Sequence, residues 1–389
     1  MAEPTFPQGL PPLSLYVHIP WCLRKCPYCD FNSHALRDTI PERAYLDALL
    51  ADLDNELPAV QGRPLHTVFI GGGTPSLFSA SGIERLLSGI DQRLTGASDW
   101  EITLEANPGA AERQRLADYR SAGVNRLSLG IQSFADDALR ALGRVHDGAQ
   151  AQAAIHAAKA AGFERLNLDL MFGLPHQTPE HAAADLRTAL NHDPGHISYY
   201  ELTLEPNTAF ARNPPPRPPD DTIAALYDSG CEQLAAAGYT HYELSSHAKP
   251  GHACRHNLNY WQFGDYLAIG AGAHGKLTFT DPPRIERYWK EKHPKHYLAQ
   301  SAHGAPRRHT RQIATTDLPL EFMMNALRLP HGVPSAQFHA GTGLPLDTIT
   351  PILDDLRAQG LINPDPATLN ATPRGLRLLN DILQRFIAD

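Results

Sequence analysis

The sequence predicts an α/β fold built from parallel βα units in its first half, and three observations agree on this. Short apolar, β-rich runs alternate with amphipathic helical patterns, the alternation is repeated along the chain, and polar or glycine-rich motifs follow the strands. This order is typical of a parallel sheet, open or closed into a barrel, whose functional residues gather at the carboxyl ends of the strands. The predicted strands are Leu13–Pro20, Thr67–Gly72, Glu101–Ala106, Arg126–Ile131, Arg165–Phe172 and His196–Thr203.

The segments between these strands show the apolar spacing that is typical of amphipathic helices. The segment Pro41–Leu57 places Leu46, Leu49, Leu50 and Leu53 on one face, as an amphipathic helix requires. The other predicted helices of this half are Ser81–Leu94, Ala110–Ala122, Asp147–Ala161 and Pro179–Asn191.

The chain is expected to divide into three parts. Residues 1–210 form the parallel core, and a proline-rich run, Asn213–Pro219, is interpreted as an ordered loop or short linker after it. Residues 211–310 form a β-rich extension, and residues 311–389 form a small, mostly helical, winged-helix-like domain. This last domain is interpreted as a packing module rather than a DNA reader because its helices carry few Lys or Arg. Its predicted helices are Leu320–Leu327, Ser335–Gly341, Leu346–Gln359 and Pro373–Ile387.

The composition of the chain argues against nucleic-acid-binding, membrane-spanning and secreted proteins. With 389 residues, 42% of them hydrophobic, the chain can bury a large core, and a formal net charge of −8 gives no electrostatic basis for binding nucleic acid. There is no run of 18 apolar residues and no secretory signal, so a cytoplasmic protein is expected. Three of the five cysteines fall within eight residues, a spacing that favours metal binding over disulfides.

The cysteine run Cys22-x₃-Cys26-x₂-Cys29 directly follows the first predicted strand. Thiolates are soft ligands that suit zinc or iron–sulfur centres. Three thiolates around a four-iron cube leave one iron open, and S-adenosylmethionine chelates such an iron through its amino and carboxylate groups. The alternative is a zinc knuckle that takes His34 as its fourth ligand. The spacing and its place after the strand favour a [4Fe–4S] cluster that binds S-adenosylmethionine.

Further polar and glycine positions follow the next strands. The run Phe69-Ile-Gly-Gly-Gly-Thr-Pro-Ser76 allows close backbone approach to a ligand, although an ordinary strand-to-helix turn is the alternative. Polar side chains in apolar strands are costly to bury without partners, so they are expected to converge on the ligand. These are Glu105 at the end of strand three, Gln132 and Ser133 after strand four, and Asp169 in strand five; pairing with a neighbouring loop amide is the alternative for each. Arg144, after a short helix, is expected to pair with a carboxylate in the site, and a solvated surface arginine is the alternative.

Taken together, these motifs resemble the HemN/HemW branch of the radical-SAM proteins. The similarity runs in order from Tyr16-Val-His-Ile-Pro-Trp-Cys22 through GGGTPS, LEANP, NRLSLGIQSF and LDLMFGLP to about residue 275. It implies a partial (β/α)6 radical-SAM barrel with a winged-helix-like C-terminal domain. It also implies S-adenosylmethionine contacts from positions that match the family, with Tyr28 beside the cluster: Tyr16, Gly72, Gly73, Thr74, Glu105, Gln132, Arg144 and Asp169.

Within this branch, three features resemble HemW, whose members act as heme chaperones for respiratory membrane enzymes, more than HemN, the oxygen-independent coproporphyrinogen III oxidase. The oxidase pattern has a further cysteine where this chain has Phe31. The oxidase also has a longer segment before the cysteines than the 21 residues here. The run His256-Asn257-Leu-Asn-Tyr260-Trp261 matches the HNxxYW motif associated with heme binding in HemW.

The heme ligand is left open between neighbouring residues. An imidazole is a common axial ligand and aromatic rings pack against the macrocycle, so His256 with Tyr260 and Trp261 is one interpretation. A buried histidine beside two core aromatics is the other, and Cys254 and His252 are further ligand candidates.

The resemblance implies a [4Fe–4S] cluster, one or two S-adenosylmethionine molecules and heme as ligands. The expected partners are an electron donor and heme-accepting respiratory proteins, with peripheral contact at the membrane. The rival functions are coproporphyrinogen III oxidase and a radical-SAM enzyme acting on another substrate, such as a methyltransferase. Whether S-adenosylmethionine is cleaved, and the oligomeric state, stay open.

Overall fold

A computed structural model describes residues 6, 9–109, 113–302, 304 and 308–387. In it the six predicted strands are all present and run parallel in chain order. Two further short strands pair with each other beside the cysteine run. The strands of this half are β1 (Leu13–Ile19), β2 (Trp21–Cys22), β3 (His34–Ala35), β4 (Leu65–Gly72), β5 (Gly96–Ala106), β6 (Arg126–Gln132), β7 (Arg165–Phe172) and β8 (Gly195–Glu201).

Helices connect successive parallel strands, and side-chain caps begin three of them. Ser79 accepts a hydrogen bond from Gly82 N, Asp147 forms a capping box with Gln150, and Thr178 accepts from His181 N. Of the predicted segment Ala110–Ala122, residues 110–112 lie outside the described residues, and a helix covers its later part. The helices are α1 (Glu42–Val60), α2 (Ala80–Asp91), α3 (Leu116–Ser121), α4 (Asp136–Ala141), α5 (Gly148–Ala160) and α6 (Pro179–Asn191), with a 3-10 turn at Pro75–Leu77.

The β-rich extension continues the same sheet rather than forming a separate one. The proline run Asn213–Pro219 leads directly into a helix, as an ordered loop. One later strand pairs in parallel with β1, and the others continue the sheet with antiparallel pairs at both ends. The elements are α7 (Ala209–Arg212), α8 (Asp220–Ala236), β9 (Thr240–Glu243), β10 (Ser246–Ala248), α9 (Arg255–Trp261), β11 (Asp265–Ile269), β12 (His274–Thr280), β13 (Pro283–Lys290), α10 (Pro294–Ala302) and β14 (Arg308–Gln312).

Over the described residues the resulting sheet has twelve strands and two ends, β14 and β9, so it is open. Its six central strands with their helices form the partial (β/α)6 barrel that the sequence predicts. Because β11 lies beside β1, the turn that follows β11 reaches the same edge as the cysteine run. The boundaries predicted at 210 and 310 remain predictions, since the extension shares the sheet of the core.

The C-terminal region is mostly helical and has its own hydrophobic core, which includes Phe322, Phe338 and Leu353. Two predicted helices are interrupted. Pro351 starts a new helix after a 3-10 turn at Leu346–Thr348, because proline is tolerated only in a first turn. Leu378 leaves helical geometry (φ −112°, ψ 28°) and divides the last helix. The elements are α11 (Leu318–Ala326), β15 (Val333–Pro334), α12 (Ala336–Thr342), α13 (Thr350–Ala358), β16 (Thr368–Leu369), α14 (Pro373–Arg377) and α15 (Leu379–Gln384).

The small β15–β16 pair beside these helices is the wing of a winged-helix-like unit. Within the described residues, no helix has both the length and the apolar character needed to cross a bilayer.

Candidate functional site

The three clustered cysteines lie at the carboxyl end of the central strands. Cys22 ends β2, and Cys26 and Cys29 follow in the loop before β3, where Cys29 N donates to Cys26 O at 3.2 Å. All three side chains line one cavity of about 140 Å³, which we call the cysteine cavity. Burial raises the pKa of the Cys22 and Cys29 thiols, so iron charge is needed to hold them as thiolates.

The donor geometry disfavours a single metal ion. Among the described residues, no group of three or more His, Cys, Asp or Glu side chains is placed to hold one ion. His34 lies outside the cysteine cavity and its Nε2 contacts Asn32 Oδ1 at 3.3 Å, so the zinc-knuckle interpretation lacks its fourth ligand. In a four-iron cluster each cysteine thiolate binds a different iron, so the three sulfur atoms do not have to converge on one metal position.

The glycine-rich turn after β4 packs directly against the cysteine loop. Gly73 N donates to Ile19 O at 2.7 Å, and Thr74 N donates to Trp21 O at 2.8 Å. Gly72 has φ +114°, and a Cβ there would lie 2.5 Å from the His18 ring. Only glycine fits such a close approach in that conformation, and a Cβ on Gly73 would lie 2.6 Å from Trp21 O. The shape of the site therefore requires both glycines.

Two carboxyl groups, from strands on either side of β6, line the cysteine cavity. Glu105 accepts a hydrogen bond from Gly72 N at 3.0 Å, and Asp169 accepts one from Asn167 Nδ2 at 2.7 Å. Burial, together with the Asp169 charge, raises the pKa of Glu105 to about 8. Burial also raises the pKa of Asp169. A bound cation would favour the ionised form of both carboxyl groups. This end of the cavity therefore fits the cationic ammonium and sulfonium groups of S-adenosylmethionine.

The guanidinium of Arg144 supplies positive charge to the cysteine cavity, opposite to that of the two carboxyl groups. Arg144 donates to Cys26 Sγ at 3.6 Å and to Asn107 Oδ1 at 2.6 Å. Its buried Nε has no hydrogen-bond partner among the described residues. An unpaired donor beside the cysteines suits a carboxylate, which is the partner that the sequence predicts for this arginine.

The structure brings most of the predicted cofactor residues together. Tyr28, Gly72, Gly73, Thr74, Glu105, Gln132, Arg144 and Asp169 line the cysteine cavity with the three cysteines. Gln132 adopts φ +69° and accepts a 2.6 Å hydrogen bond from the Tyr200 hydroxyl. The prediction for Ser133 is wrong, because its hydroxyl donates to Asp185 at 2.7 Å and lines a different cavity.

Further residues that line the cysteine cavity are not among those predicted from the sequence. Asn107 belongs to the LEANP run, and the polar position in a strand-end motif was a usable signal. Ser128 is in β6 and Tyr200 in β8, where alternation across the sheet gives only a weak signal.

A larger cavity of about 640 Å³, which we call the aromatic cavity, adjoins the first. The two cavities share Phe31, Ser33, Gly72 and Glu105. Tyr16 lies in the aromatic cavity instead of the cysteine cavity, with its hydroxyl 2.9 Å from His18 Nδ1. The wall also contains several further rings, from His18, His34, Tyr260, Tyr266 and His274.

The HNxxYW motif occupies helix α9, and of its four defining residues only Tyr260 lines the aromatic cavity. His256 is buried, with Nδ1 2.7 Å from Thr67 Oγ1 and Nε2 2.7 Å from the Tyr260 hydroxyl. Burial, together with the Arg126 charge, lowers the pKa of His256 to about 3. Both ring nitrogens of this neutral imidazole are thus engaged within the protein.

The other motif residues and ligand candidates face elsewhere. Asn257 Oδ1 lies 3.4 Å from Cys254 Sγ, and Trp261 packs on the C-terminal core. Burial raises the pKa of the Cys254 thiol to about 12, which disfavours a thiolate ligand. His252 packs against Gly195. The assignment of heme contacts to His256, Asn257, Tyr260 and Trp261 stays a prediction.

The fold and the cysteine cavity define a radical SAM protein. Residues 16–189 match the Radical SAM superfamily, and residues 313–378 match the HemN C-terminal domain. The chain belongs to the HemW family. The heme chaperone HemW of Escherichia coli (strain K12) is 49% identical over 380 residues, spanning 98% of this chain and 99% of that protein. The heme chaperone HemW of Bacillus subtilis (strain 168) is 37% identical, spanning 97% and 99%.

A solved structure supports the same architecture. Coproporphyrinogen III oxidase (HemN) from Escherichia coli, a radical SAM enzyme, matches with a TM-score of 0.81 and 25% identity, covering 97% of this chain and 90% of that chain. The resemblance and the fold class predicted from the sequence are therefore confirmed.

Proposed function

We propose that this protein is a heme chaperone that holds a [4Fe–4S] cluster with S-adenosylmethionine and carries heme to respiratory membrane proteins. The observation that carries the proposal is the junction of two cavities that share Phe31, Ser33, Gly72 and Glu105. One cavity has cysteines and buried charge, and the other is large and ringed by aromatic side chains. The name of the relatives, heme chaperone HemW, supports the cargo.

In the cysteine cavity, Cys22, Cys26 and Cys29 are the proposed ligands of the cluster. When bound, the cluster supplies an open iron site and one-electron chemistry. The residues around it bind and orient the cofactor. Glu105 and Asp169 attract its cationic groups, and Arg144 receives its carboxylate. The backbone of Gly72 and Gly73 permits close contact. An electron donor is a necessary partner if S-adenosylmethionine is cleaved.

Heme is the proposed cargo of the aromatic cavity. A volume of about 640 Å³ falls within the roughly 300–1,000 Å³ of cavities that enclose small organic ligands. Phe31 lies at the boundary of the two cavities and is 61% exposed. A large apolar side chain exposed at a cavity mouth favours contact with a flat, apolar ligand, or with the protein that receives it.

The structural match to HemN makes coproporphyrinogen III oxidase the second candidate function. Phe31 argues against the oxidase function, because the oxidase pattern that this chain otherwise resembles has a cysteine at that position. A thiol and a phenyl ring differ in both redox chemistry and size, so the two families are expected to use this boundary differently.

The deciding experiment uses anaerobically reconstituted protein. We expect about four iron and four sulfide per chain, a heme titration that saturates, and no protoporphyrinogen from coproporphyrinogen III. Variants Cys22→Ser, Cys26→Ser and Cys29→Ser should each lose the cluster. Cys231→Ser is the matched control, because Cys231 lies in α8, away from both cavities. Failure of wild-type protein to bind heme would refute the chaperone function, and formation of protoporphyrinogen would favour the oxidase.

A further inference from the structure

The turn between β11 and β12 projects one histidine into the aromatic cavity. Gly270 and Gly272 have φ of +104° and +79°, and a Cβ on Gly270 would lie 2.4 Å from His18 O. These glycines allow the chain to turn tightly against β1. His274, the first residue of β12, then lines the cavity.

A buried ionic network holds this turn in place. Lys290 Nζ lies 2.5 Å from Asp52 Oδ1 and 2.6 Å from Glu56 Oε1, with all three side chains buried. Asp52 Oδ2 in turn accepts from Gly270 N at 3.1 Å, and the Tyr45 hydroxyl accepts from Ala271 N at 2.8 Å. Groups supported in this way are preorganised, as a metal ligand requires.

Both ring nitrogens of His274 are free to bind, whereas His18 uses both of its nitrogens and His34 uses its Nε2. His18 uses both nitrogens, toward the Tyr16 hydroxyl at 2.9 Å and Asn32 O at 2.9 Å. His34 contacts Asn32 Oδ1. Within the described part of the chain, no hydrogen bond involves the His274 ring, which stacks near Trp289 with ring centroids 6.3 Å apart. His274 is exposed at the cavity, and desolvation on its buried side, with the Lys292 charge, lowers its pKa, which favours the neutral imidazole.

Two cations stand at the rim of the same cavity. Lys25, whose Nζ donates to Phe31 O at 3.0 Å, and Lys292 are both exposed and both line it. Asp30 is the acidic side chain on this rim, and Glu105 lies at the boundary with the cysteine cavity. Exposed ammonium groups suit the two propionates of heme, which extend from one edge of the macrocycle.

We infer that His274 is the axial ligand of the heme carried in the aromatic cavity, with Lys25 and Lys292 facing the propionates. This inference rests on the proposed function and names the ligand within it. Neutral imidazole is an ordinary axial ligand of heme iron. Tyr260 contacts the bound ring from α9, and His256 is a positioning residue that fixes the Tyr260 side chain.

The test titrates heme into wild-type, His274→Ala and His274→Gln proteins, with His296→Ala as the control. His296 is 70% exposed and lies outside the cavity. We expect His274→Ala to weaken heme binding at least as much as the roughly 10–100-fold loss typical of a disturbed metal site. The Soret and resonance Raman signature of histidine ligation should disappear, and added imidazole should restore it. His296→Ala should match wild type.

The outcomes separate the inference from the function on which it rests. If wild-type protein binds heme and both His274 variants keep its affinity and its spectrum, the ligand assignment is wrong and the chaperone function survives. If wild-type protein binds no heme, the function itself fails. Unchanged iron and sulfide content and unchanged circular dichroism show that a variant has kept the cluster and the fold. A Lys25→Glu, Lys292→Glu double variant should weaken heme binding while keeping the histidine signature, and an unchanged affinity would refute the role of the lysines.

Discussion

The Tyr260 hydroxyl lies 2.7 Å from Nε2 of His256, and this bond joins the buried end of α9 to the aromatic cavity. Because the Thr67 hydroxyl donates to Ser14 Oγ at 2.8 Å, it accepts from Nδ1 of His256. Nε2 is then left to accept from Tyr260. The motif histidine thus acts through its tyrosine neighbour, and the tyrosine is the residue that reaches the ligand.

We expect His256→Ala to lower the free energy of unfolding by about 1–3 kcal/mol, since it leaves buried hydroxyl groups without a partner. Heme affinity should fall less than in His274→Ala, and the histidine signature should remain. Urea unfolding and a heme titration measure the two effects. Tyr260→Phe removes the same hydrogen bond from the other side, so the two substitutions should be non-additive in a double-mutant cycle. Loss of the histidine signature in His256→Ala alone would instead make His256 the axial ligand.

Gly72→Ala should prevent normal assembly of the site, because a methyl group would collide with the His18 ring at a φ of +114°. The matched control is Gly162→Ala, where φ is +81° and an added methyl group would meet no atom within 4 Å. The control should cost only about 1–2 kcal/mol of backbone strain. Thermal unfolding and S-adenosylmethionine binding of the reconstituted proteins would compare them. Equal effects of the two substitutions would mean that backbone strain, and not contact with the site, is the reason why position 72 requires glycine.

The sequence could predict the first half of the fold because its apolar runs and helical periodicity are local signals. Leu13–Ile19 and Arg165–Phe172 are strands rich in apolar residues, and the predicted bounds agree with them to within one residue. The strand β5 begins at Gly96 rather than at Glu101, because the polar run before Glu101 hides its strand character. The spacing of the cysteines and the polar residues at the strand ends are also signals that lie within short segments of the sequence. The cysteine cavity was therefore largely predictable.

The aromatic cavity was not predictable, since it depends on long-range pairing. Only the placement of β11 beside β1 brings His274 to the cysteine loop. The burial of His256 depends on contacts with Thr67 in β4, almost two hundred positions earlier in the chain. The motif spacing showed which residues belong together in the family, but it could not show which of them faces the ligand.

Glu105 gives the metal-free protein a defined pH dependence. Its folded pKa of about 8 lies above the unfolded value near 4.5, so the folded state holds this proton more tightly than the unfolded state. Stability contributed by the protonated carboxyl is therefore fully present below pH 4.5 and is lost as pH rises toward 8. Burial raises the pKa of Asp169 in the same direction. We expect Glu105→Gln to flatten this decline, measured by urea unfolding across pH 5 to 8.

The same carboxyl should make cofactor binding depend on pH. A cationic ligand favours ionised Glu105, so affinity for S-adenosylmethionine should rise toward pH 8 in reconstituted wild-type protein. In Glu105→Gln the affinity should be lower and the pH profile flatter. Glu232→Gln, in α8, is a control for the loss of a carboxylate outside both cavities. A wild-type profile that matches Glu105→Gln would show that this carboxyl does not meet the cofactor.

Lys290 should be essential for the turn that carries His274. Its ammonium pairs with Asp52 and Glu56, and all three side chains are almost wholly buried. Lys290→Met keeps most of the apolar stem but leaves the buried Asp52 carboxylate without a charge partner, while Glu56 keeps its 3.0 Å ion pair with Arg308. Breaking such a pair from one side typically costs about 3–5 kcal/mol. Lys295→Met, on the exposed surface of α10, should have little effect on urea unfolding.

The Lys290 variant also tests how the turn supports the ligand. Asp52 bonds to Gly270 N, so a rearranged Asp52 would loosen the backbone that precedes His274. At temperatures where the variant stays folded, heme affinity should fall while added imidazole restores little, because the protein ligand is still present but misplaced. That response differs from His274→Ala, in which imidazole fills the vacated position. Normal heme affinity in a destabilised Lys290→Met protein would show that the network serves the fold alone.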